Sequence, residues 1–313
     1  MHSPRRSPRS KVDGVILLDK PTGISSNAAL QRVRRAFNAA KGGHTGTLDP
    51  LASGLLPLCL GEATKFSQTL LDADKAYEVE LRLGVCTSTG DAEGQVIEIR
   101  PANVTRADLA AACRRFIGEI DQVPPMYSAL KVAGRPLYAY AREGVTLERK
   151  SRRVTIERIE VLGSEMDTAR LAVDCSKGTY MRVLTEDIGA LLGCGAHLVS
   201  LRRTRIGRFR IDEAIPLAQI EADPSGAPAW LLPVDHLLAD RPSVSLDEQA
   251  ARRFAHGQTT TVTTQVNDGL VRVYGPTGRF IGAADHESGQ LRPRRLLGAS
   301  DSAGQPPKSL AAN

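Results

Sequence analysis

One stretch of the chain concentrates residues able to do chemistry: Gly42-Gly43-His44-Thr45-Gly46-Thr47-Leu48-Asp49-Pro50-Leu51-Ala52-Ser53-Gly54-Leu55-Leu56-Pro57. Glycines at 42, 43, 46 and 54 permit positive φ or the close approach of a ligand. Pro50 restricts Asp49 to extended conformations, so the carboxylate leaves the chain in a stiff direction. His44 and Thr45 lie within reach of the same turn. The plainer alternative is that Asp49 caps the following Leu51–Leu55 segment. A metal site fits less well, because no second His/Asp cluster lies nearby. A second candidate is Ser176-Lys177-Gly178-Thr179-Tyr180-Met181-Arg182, where a glycine between polar residues suggests a strand-to-helix turn that brings Tyr180 and Arg182 to a surface. Tyr77 stands on an alternating strand, where the plainer reading is a core aromatic.

These residues need elements to hold them. Gly14–Asp19 is a short apolar run stopped by Lys20-Pro21 and predicts a buried strand. Ser25 or Ser26 can cap a helix over about Asn27–Asn38, with Leu30, Val33 and Phe37 at helical spacing. Ala76–Leu83 alternates apolar and charged residues as a half-buried strand does. Thr105 with Asp108 resembles a capping box and opens a helix to Phe116. Val154–Leu162 and Ala169–Cys175 read as strands, and Arg182–Leu192 as a helix ending at Gly193. Residues 221–228 read as a linker. A short helix at Leu246–Ala255 and strands near Leu270–Tyr274, Arg279–Ala283 and Leu291–Leu297 follow, which suggests a small, mostly β second domain. Strands and helices do not alternate regularly, so an α+β fold is favoured over a doubly wound one.

The 313 residues suit about two domains, and 42% apolar residues can build a sizeable core. Five cysteines, odd in number and without a C-x-x-C pair, read as reduced thiols and predict a cytoplasmic protein. No stretch approaches a membrane span. The net charge of +6 hides a segregation: residues 1–12 carry +4, residues 131–153 carry +5, residues 201–210 carry +5, and the rest carries −8. Three basic blocks on a mildly acidic body point to a polyanion such as nucleic acid. Aromatics are only 4%, so base stacking must rest on a few individual rings.

Taken as a set, the motifs resemble the bacterial tRNA pseudouridine synthase B family. The Gly42–Pro57 loop resembles its catalytic loop. Asp19-Lys20-Pro21 through Ser25-Ser26, Gly61-Glu62-Ala63-Thr64-Lys65, Asp74-Lys75-x-Tyr77 and Thr89-x-Asp91-x-x-Gly94 follow in order. So do Gln122-x-Pro124-Pro125-x-Tyr127-Ser128-Ala129-x-Lys131, Tyr138-x-x-Ala141-Arg142-x-Gly144, Ser176–Arg182, and Leu201-Arg202-Arg203-Thr204 with Gly207 and Phe209. The match runs through roughly residues 13–210.

The resemblance implies a pseudouridine synthase core, a large mixed and mostly antiparallel sheet with flanking helices. It implies isomerisation of uridine 55 in the T-arm loop of tRNA, with the target base flipped out and with neither metal nor organic cofactor. Asp49 matches the nucleophile, Arg182 the guanidinium that orients it, and Tyr77 a residue that stacks on the base and can take a proton late. Tyr180 and Leu201 match residues lining the uridine pocket, and His44 one that contacts the extruded nucleotide. Lys65 and Asp91 match supporting positions near the pocket. For the RNA backbone the expectation is Lys131, Arg142, Arg149, Lys150, Arg152, Arg153, Arg202 and Arg203. Residues 1–12 and 299–313 are expected to be disordered tails. Residues 13–230 form the expected catalytic domain, with an RNA-clamping insertion at about 124–153, and residues 240–298 a PUA-like RNA-binding domain. The expected partner is the tRNA T-arm stem-loop, bound by a monomer with no membrane contact. Competing readings are an RNA-binding or RNA-folding module with an idle pocket, an RNA-guided synthase working in a ribonucleoprotein, and a metal-dependent hydrolase built on His44, Asp49 and Asp91.

Overall fold

A computed structural model describes residues 9–298. The main strands are β1 (Gly14–Lys20), β2 (Gly42–His44), β3 (Ser53–Leu60), β4 (Lys75–Leu83), β5 (Gly118–Gln122), β6 (Arg152–Glu165), β7 (Thr168–Cys175) and β8 (Ala196–Ile206). They join one mixed sheet in the order Ile215–Pro216, β1, β3, β8, β4, β7, β6, β5, with β2 on β3 and Phe209–Arg210 on β8. Only the pairings of Ile215–Pro216 with β1 and of β8 with β3 are parallel. This is the α+β class that the sequence predicts, with the mixed, mostly antiparallel sheet that the family resemblance implies.

The helices form where the caps say they should. In α1 (Ser26–Ala36), the Ser25 hydroxyl accepts the Ala28 N–H at 3.1 Å, and Ala29, Leu30 and Val33 are buried against the sheet. In α2 (Arg106–Arg114), Thr105 and Asp108 make the reciprocal capping bonds. Helix α3 (Met181–Leu191) packs over the centre of the sheet, where Leu184 and Ile188 meet Val79, Leu81 and Leu198.

The Gly42–Pro57 stretch, read as a loop, contains β2 and the start of β3. Strand β3 is buried along nearly its whole length, so alternation is absent. Pro57 breaks a strand pattern in sequence. Here β1 pairs along one edge of β3. On the other edge β8 pairs at Ser53 and Gly54 and β2 at Leu58 to Leu60, so Pro57 falls in the gap between them. Strand β8 was hidden by its arginines.

The expected linker at 221–228 is helical: Leu217–Ala222 is α-helix and Pro224–Trp230 is a 3-10 segment. Ile220 packs against α1 and β1 side chains, and that burial overrides the Pro/Gly composition. Of the expected N-terminal tail, residues 1–8 lie outside the described residues, but Ser10 is docked. Its N–H donates to Asn38 O at 2.8 Å and its carbonyl accepts from Ala40 N–H at 3.0 Å. The tail expected at 299–313 lies outside the described residues.

The C-terminal part holds helix α4 (Glu248–Ala255) and a five-stranded sheet. That sheet runs Ser243–Ser245, β9 (Gly269–Tyr274), β10 (Phe280–Glu287), β11 (Gln290–Leu296), Thr260–Thr261. Its small core of Val244, Phe254, Val271, Val273, Ala284 and Leu291 is separate from the main ones. Phe280 and Ala283 instead pack with Phe66, Val15 and Leu55 of the larger part, and the Phe66 and Phe280 rings lie 5.6 Å apart.

Candidate active site

The Asp49 loop is fastened to its surroundings by short-range polar contacts. The Ser26 hydroxyl accepts the Leu48 N–H at 2.8 Å and donates to Leu48 O at 2.9 Å. Gly23 N–H donates to Pro50 O, and Thr45 N–H to Pro57 O. Leu48 and Ala52 are buried. With its neighbours pinned, Asp49 stands at the rim with a side chain 43% exposed, and its carboxylate accepts a bond from Arg182 at 2.9 Å. It does not cap a helix, because the following segment is β3.

Arg182 sits in the first turn of α3 with a side chain only 6% exposed. Its guanidinium also donates to Thr89 O at 3.2 Å and Tyr127 O at 2.6 Å, and lies 3.5 Å from the equally buried Asp91 carboxylate. Asp91 in turn accepts from the Thr89 hydroxyl at 2.5 Å and from Glu93 N–H at 3.1 Å. One arginine therefore links the reactive loop, the Thr89–Asp91 turn and the insertion. The bonds to Thr89 O and Tyr127 O, with the Asp91 charge behind them, fix the direction in which it presents its charge to Asp49.

A cleft of about 320 Å³ opens beside Asp49. Tyr77, Tyr180, Arg182, Leu201, Lys75, Ser128 and Arg203 all line it. Tyr180 precedes α3 and is gripped by the buried Gln122, which accepts the Tyr180 N–H at 3.0 Å. The Arg152 guanidinium lies 5.7 Å from the Tyr180 ring centre. Gln122 and Arg152 pair across β5 and β6, so the insertion begins and ends at Tyr180. Burial pushes both phenols above their ordinary value.

The expected site residues Asp49, Tyr77, Tyr180, Arg182 and Leu201 thus converge, with Asp91 behind Arg182. His44 is half-buried on β2, outside the cleft lining, with Nδ1 buried and unpartnered. Burial, and after it the charge of Arg203, lowers its pKa and keeps it neutral at neutral pH. Lys65 is a correction. Its ammonium donates to Glu62 at 2.6 Å and to Leu296 O at 3.0 Å, at the junction with the C-terminal part and away from the cleft. Among the described residues, no group of three His, Cys, Asp or Glu side chains is arranged to hold a metal ion, and no helix is long and apolar enough to cross a membrane.

Of the residues expected at the RNA backbone, Lys131, Arg142, Lys150 and Arg153 are exposed. Arg149 donates to Pro124 O at 3.2 Å and holds the insertion to its own base. Arg203 is a correction, whereas the Arg202 side chain stays 40% exposed. Arg202 is engaged by both oxygens of Asp19, at 3.1 and 2.7 Å. Arg203 points to the opposite face of β8 and is 1% exposed. Alternation along the strand separates the two. Sequence reasoning also left Lys20 and Lys75 without a role. Lys20, fully buried, donates to Pro21 O and Ile24 O, and burial draws its pKa down to about 8. Lys75 caps the carbonyls of Leu70, Leu71 and Ala73. A lysine closing β1 next to Asp19, after an apolar run, was the available signal for Lys20.

The mixed sheet with its flanking helices and C-terminal β-rich unit is the fold of a pseudouridine synthase. Residues 34–181 match the family described as TruB family pseudouridylate synthase (N terminal domain). Residues 182–239 match the tRNA pseudouridylate synthase B C-terminal domain, and residues 242–297 match the family Pseudouridine synthase II TruB, C-terminal. The chain belongs to the TruB family. It is 55% identical over 308 residues to the tRNA pseudouridine synthase B of Ralstonia pickettii (strain 12J), covering 94% of this chain and 97% of that one. The protein of the same name from Aromatoleum aromaticum is 55% identical over 294 residues, covering 93% and 95%. Among solved structures, an archaeal box H/ACA sRNP Nop10-Cbf5 complex is similar at 25% identity, with a TM-score of 0.68 and coverage of 90% and 85%. An H/ACA RNP bound to a substrate RNA containing 2′-deoxyuridine gives 25% identity, a TM-score of 0.70 and coverage of 92% and 86%.

Proposed function

We propose that this chain converts uridine 55 in the T-arm loop of tRNAs to pseudouridine, with Asp49 as nucleophile and the target uridine flipped into the cleft. The observation that carries this reading is the Asp49 carboxylate, presented at the cleft rim by a buried arginine. The isomerisation breaks the N1–C1′ bond and makes a C5–C1′ bond; N1 gains a proton and C5 loses one. An aspartate that forms a covalent intermediate divides this into easier steps. The cleft is of a size for one base, and a base inside a folded loop reaches it only by leaving its stack. Tyr77 and Tyr180 wall the cleft where such a base would lie. Tyr77 is the candidate acceptor of the C5 proton late in the reaction, a role it can fill only as a phenolate, by passing its own hydroxyl proton to solvent or to the base as it takes the proton from C5.

The insertion supplies exposed cations at Lys131, Arg142, Lys150 and Arg153, suited to phosphates along the T-arm. The C-terminal five-stranded unit is read as a PUA-like RNA-binding domain, and the enzyme as a cytoplasmic monomer. An RNA-guided role is the second reading, supported by the likeness to H/ACA proteins. The much higher identity to the synthase B relatives, over nearly the whole chain, favours the stand-alone enzyme. A pure RNA-binding module would not need Asp49 held by Arg182.

The test is Asp49→Asn, assayed by tritium release from C5-labelled uridine in tRNA. The variant should bind a T-arm stem-loop and release no tritium. Full turnover, with deamidation back to aspartate excluded by mass, would sink the catalytic assignment.

A further inference from the structure

Among the described residues, Arg203 is the largest fully buried side chain. Removing a guanidinium from water is costly unless its donors are filled. Among the described residues no carboxylate forms an ion pair with it; Tyr77, its direct partner across β8 and β4, lines the cleft with it. The hydrogen bonds of Arg203 go to two carbonyls. Nε donates to Leu55 O at 2.8 Å and Nη2 to Gly46 O at 3.1 Å. Those carbonyls bracket Asp49 on either side. Leu55 lies in the stretch of β3 that neither β8 nor β2 pairs, so the guanidinium fills a gap in the ladder.

The backbone is shaped to let it in. Gly54 has φ +101°, and a Cβ there would collide with the carbonyl of Arg203. Strand β8 shifts register between Arg203 and Arg205, a bulge of the kind that re-aims a side chain.

We propose that Arg203 is a positioning residue of the reaction, clamping both ends of the Asp49 loop and presenting a donor edge to Tyr77. The proposal rests on the assignment of Asp49 as nucleophile made above. A planar fork with five donors reaches both carbonyls at once and still presents a donor edge towards Tyr77, whereas a lysine in the same place is a point charge and cannot span them. Loss of the clamp lets the carboxylate and the ring drift apart, and a misplacement of about 1 Å in such a site costs about a hundredfold in rate.

The experiment is single-turnover pseudouridine formation with enzyme in excess over tRNA, on R203K, Tyr77→Phe and the double variant, with T-arm affinity measured in parallel. R203K is expected to be about a hundredfold slower, with affinity within about threefold of the parent. In the Tyr77→Phe background the same substitution should slow the reaction less than about tenfold, because one of the anchored groups is already gone. Three results overturn the proposal: R203K within threefold of the parent rate, an equal loss in both backgrounds, or affinity falling in step with rate. R203K that fails to fold overturns it too, since the residue would then belong to sheet stability alone. Asp49→Asn in the same assay separates the two readings. Turnover by that variant sinks the nucleophile, whereas an inert Asp49→Asn beside an unimpaired R203K sinks only the role of Arg203.

Discussion

Replacing Arg182 by methionine tests the linkage at the centre of the site. The guanidinium touches Asp49, Asp91, Thr89 O and Tyr127 O. Asp49 is 43% exposed, so water can replace its missing partner and little stability goes with it. Asp91 differs: its side chain is 6% exposed, and it would keep only the Thr89 hydroxyl and the Glu93 N–H. Breaking a buried pair from one side leaves an uncompensated charge and costs about 3–5 kcal/mol. The expected loss for Arg182→Met in urea unfolding followed by circular dichroism is therefore about 4 kcal/mol, at unchanged m-value. Nearly all of it traces to Asp91, so Asp91→Asn added to Arg182→Met should restore about 1–3 kcal/mol. The single-turnover rate should fall about a hundredfold or more through the freed Asp49 carboxylate, with or without the second substitution. A loss below about 1 kcal/mol, or a double variant no more stable than Arg182→Met, would refute the claim that one arginine holds both carboxylates.

Four other outcomes are expected. Lys150→Gln with Lys131→Gln, both on the exposed insertion, should weaken tRNA binding. Each phosphate left without its cation should flatten the log–log salt slope by about 0.7–0.9 in filter binding. Arg202→Gln should leave that slope unchanged, because Asp19 already occupies the guanidinium. Lys75 is buried, which draws its pKa from 10.5 to about 8. Above pH 8 it loses its proton in the folded state while the unfolded chain keeps one, so stability rises with pH until the unfolded lysine titrates too. Relative to Lys75→Met, the parent should gain up to about 3 kcal/mol between pH 8 and 10.5 in denaturant titrations. Removing residues 1–11 should cost about 1–3 kcal/mol through the two Ser10 backbone bonds and leave turnover unchanged, whereas removing residues 1–8 should change neither.

The sequence by itself determined what is local. The caps at Ser25 and Thr105 depend on one residue and its neighbours within a turn. The alternation of β4 shows directly in its residues. The Gly/Pro-rich Asp49 loop and the order of the motifs around it need no tertiary information to be recognised. What the sequence left open depends on which strand lies beside which. Strand β3 looks like loop because a proline falls within it, and only the gap between β8 and β2 makes that proline tolerable. Lys65 sits in a matching motif, yet the docking of β11 draws it to Leu296 and away from the cleft. Arg202 and Arg203 are the sharpest case. They are adjacent and identical in type, and by composition both belong to a basic surface. Once β8 pairs with β4 the pleat sends them to opposite faces, Arg202 to Asp19 and Arg203 under the cleft to Leu55, Gly46 and Tyr77. Charge and motif are written in the chain, but the register that buries one arginine and exposes its neighbour exists only when the sheet closes.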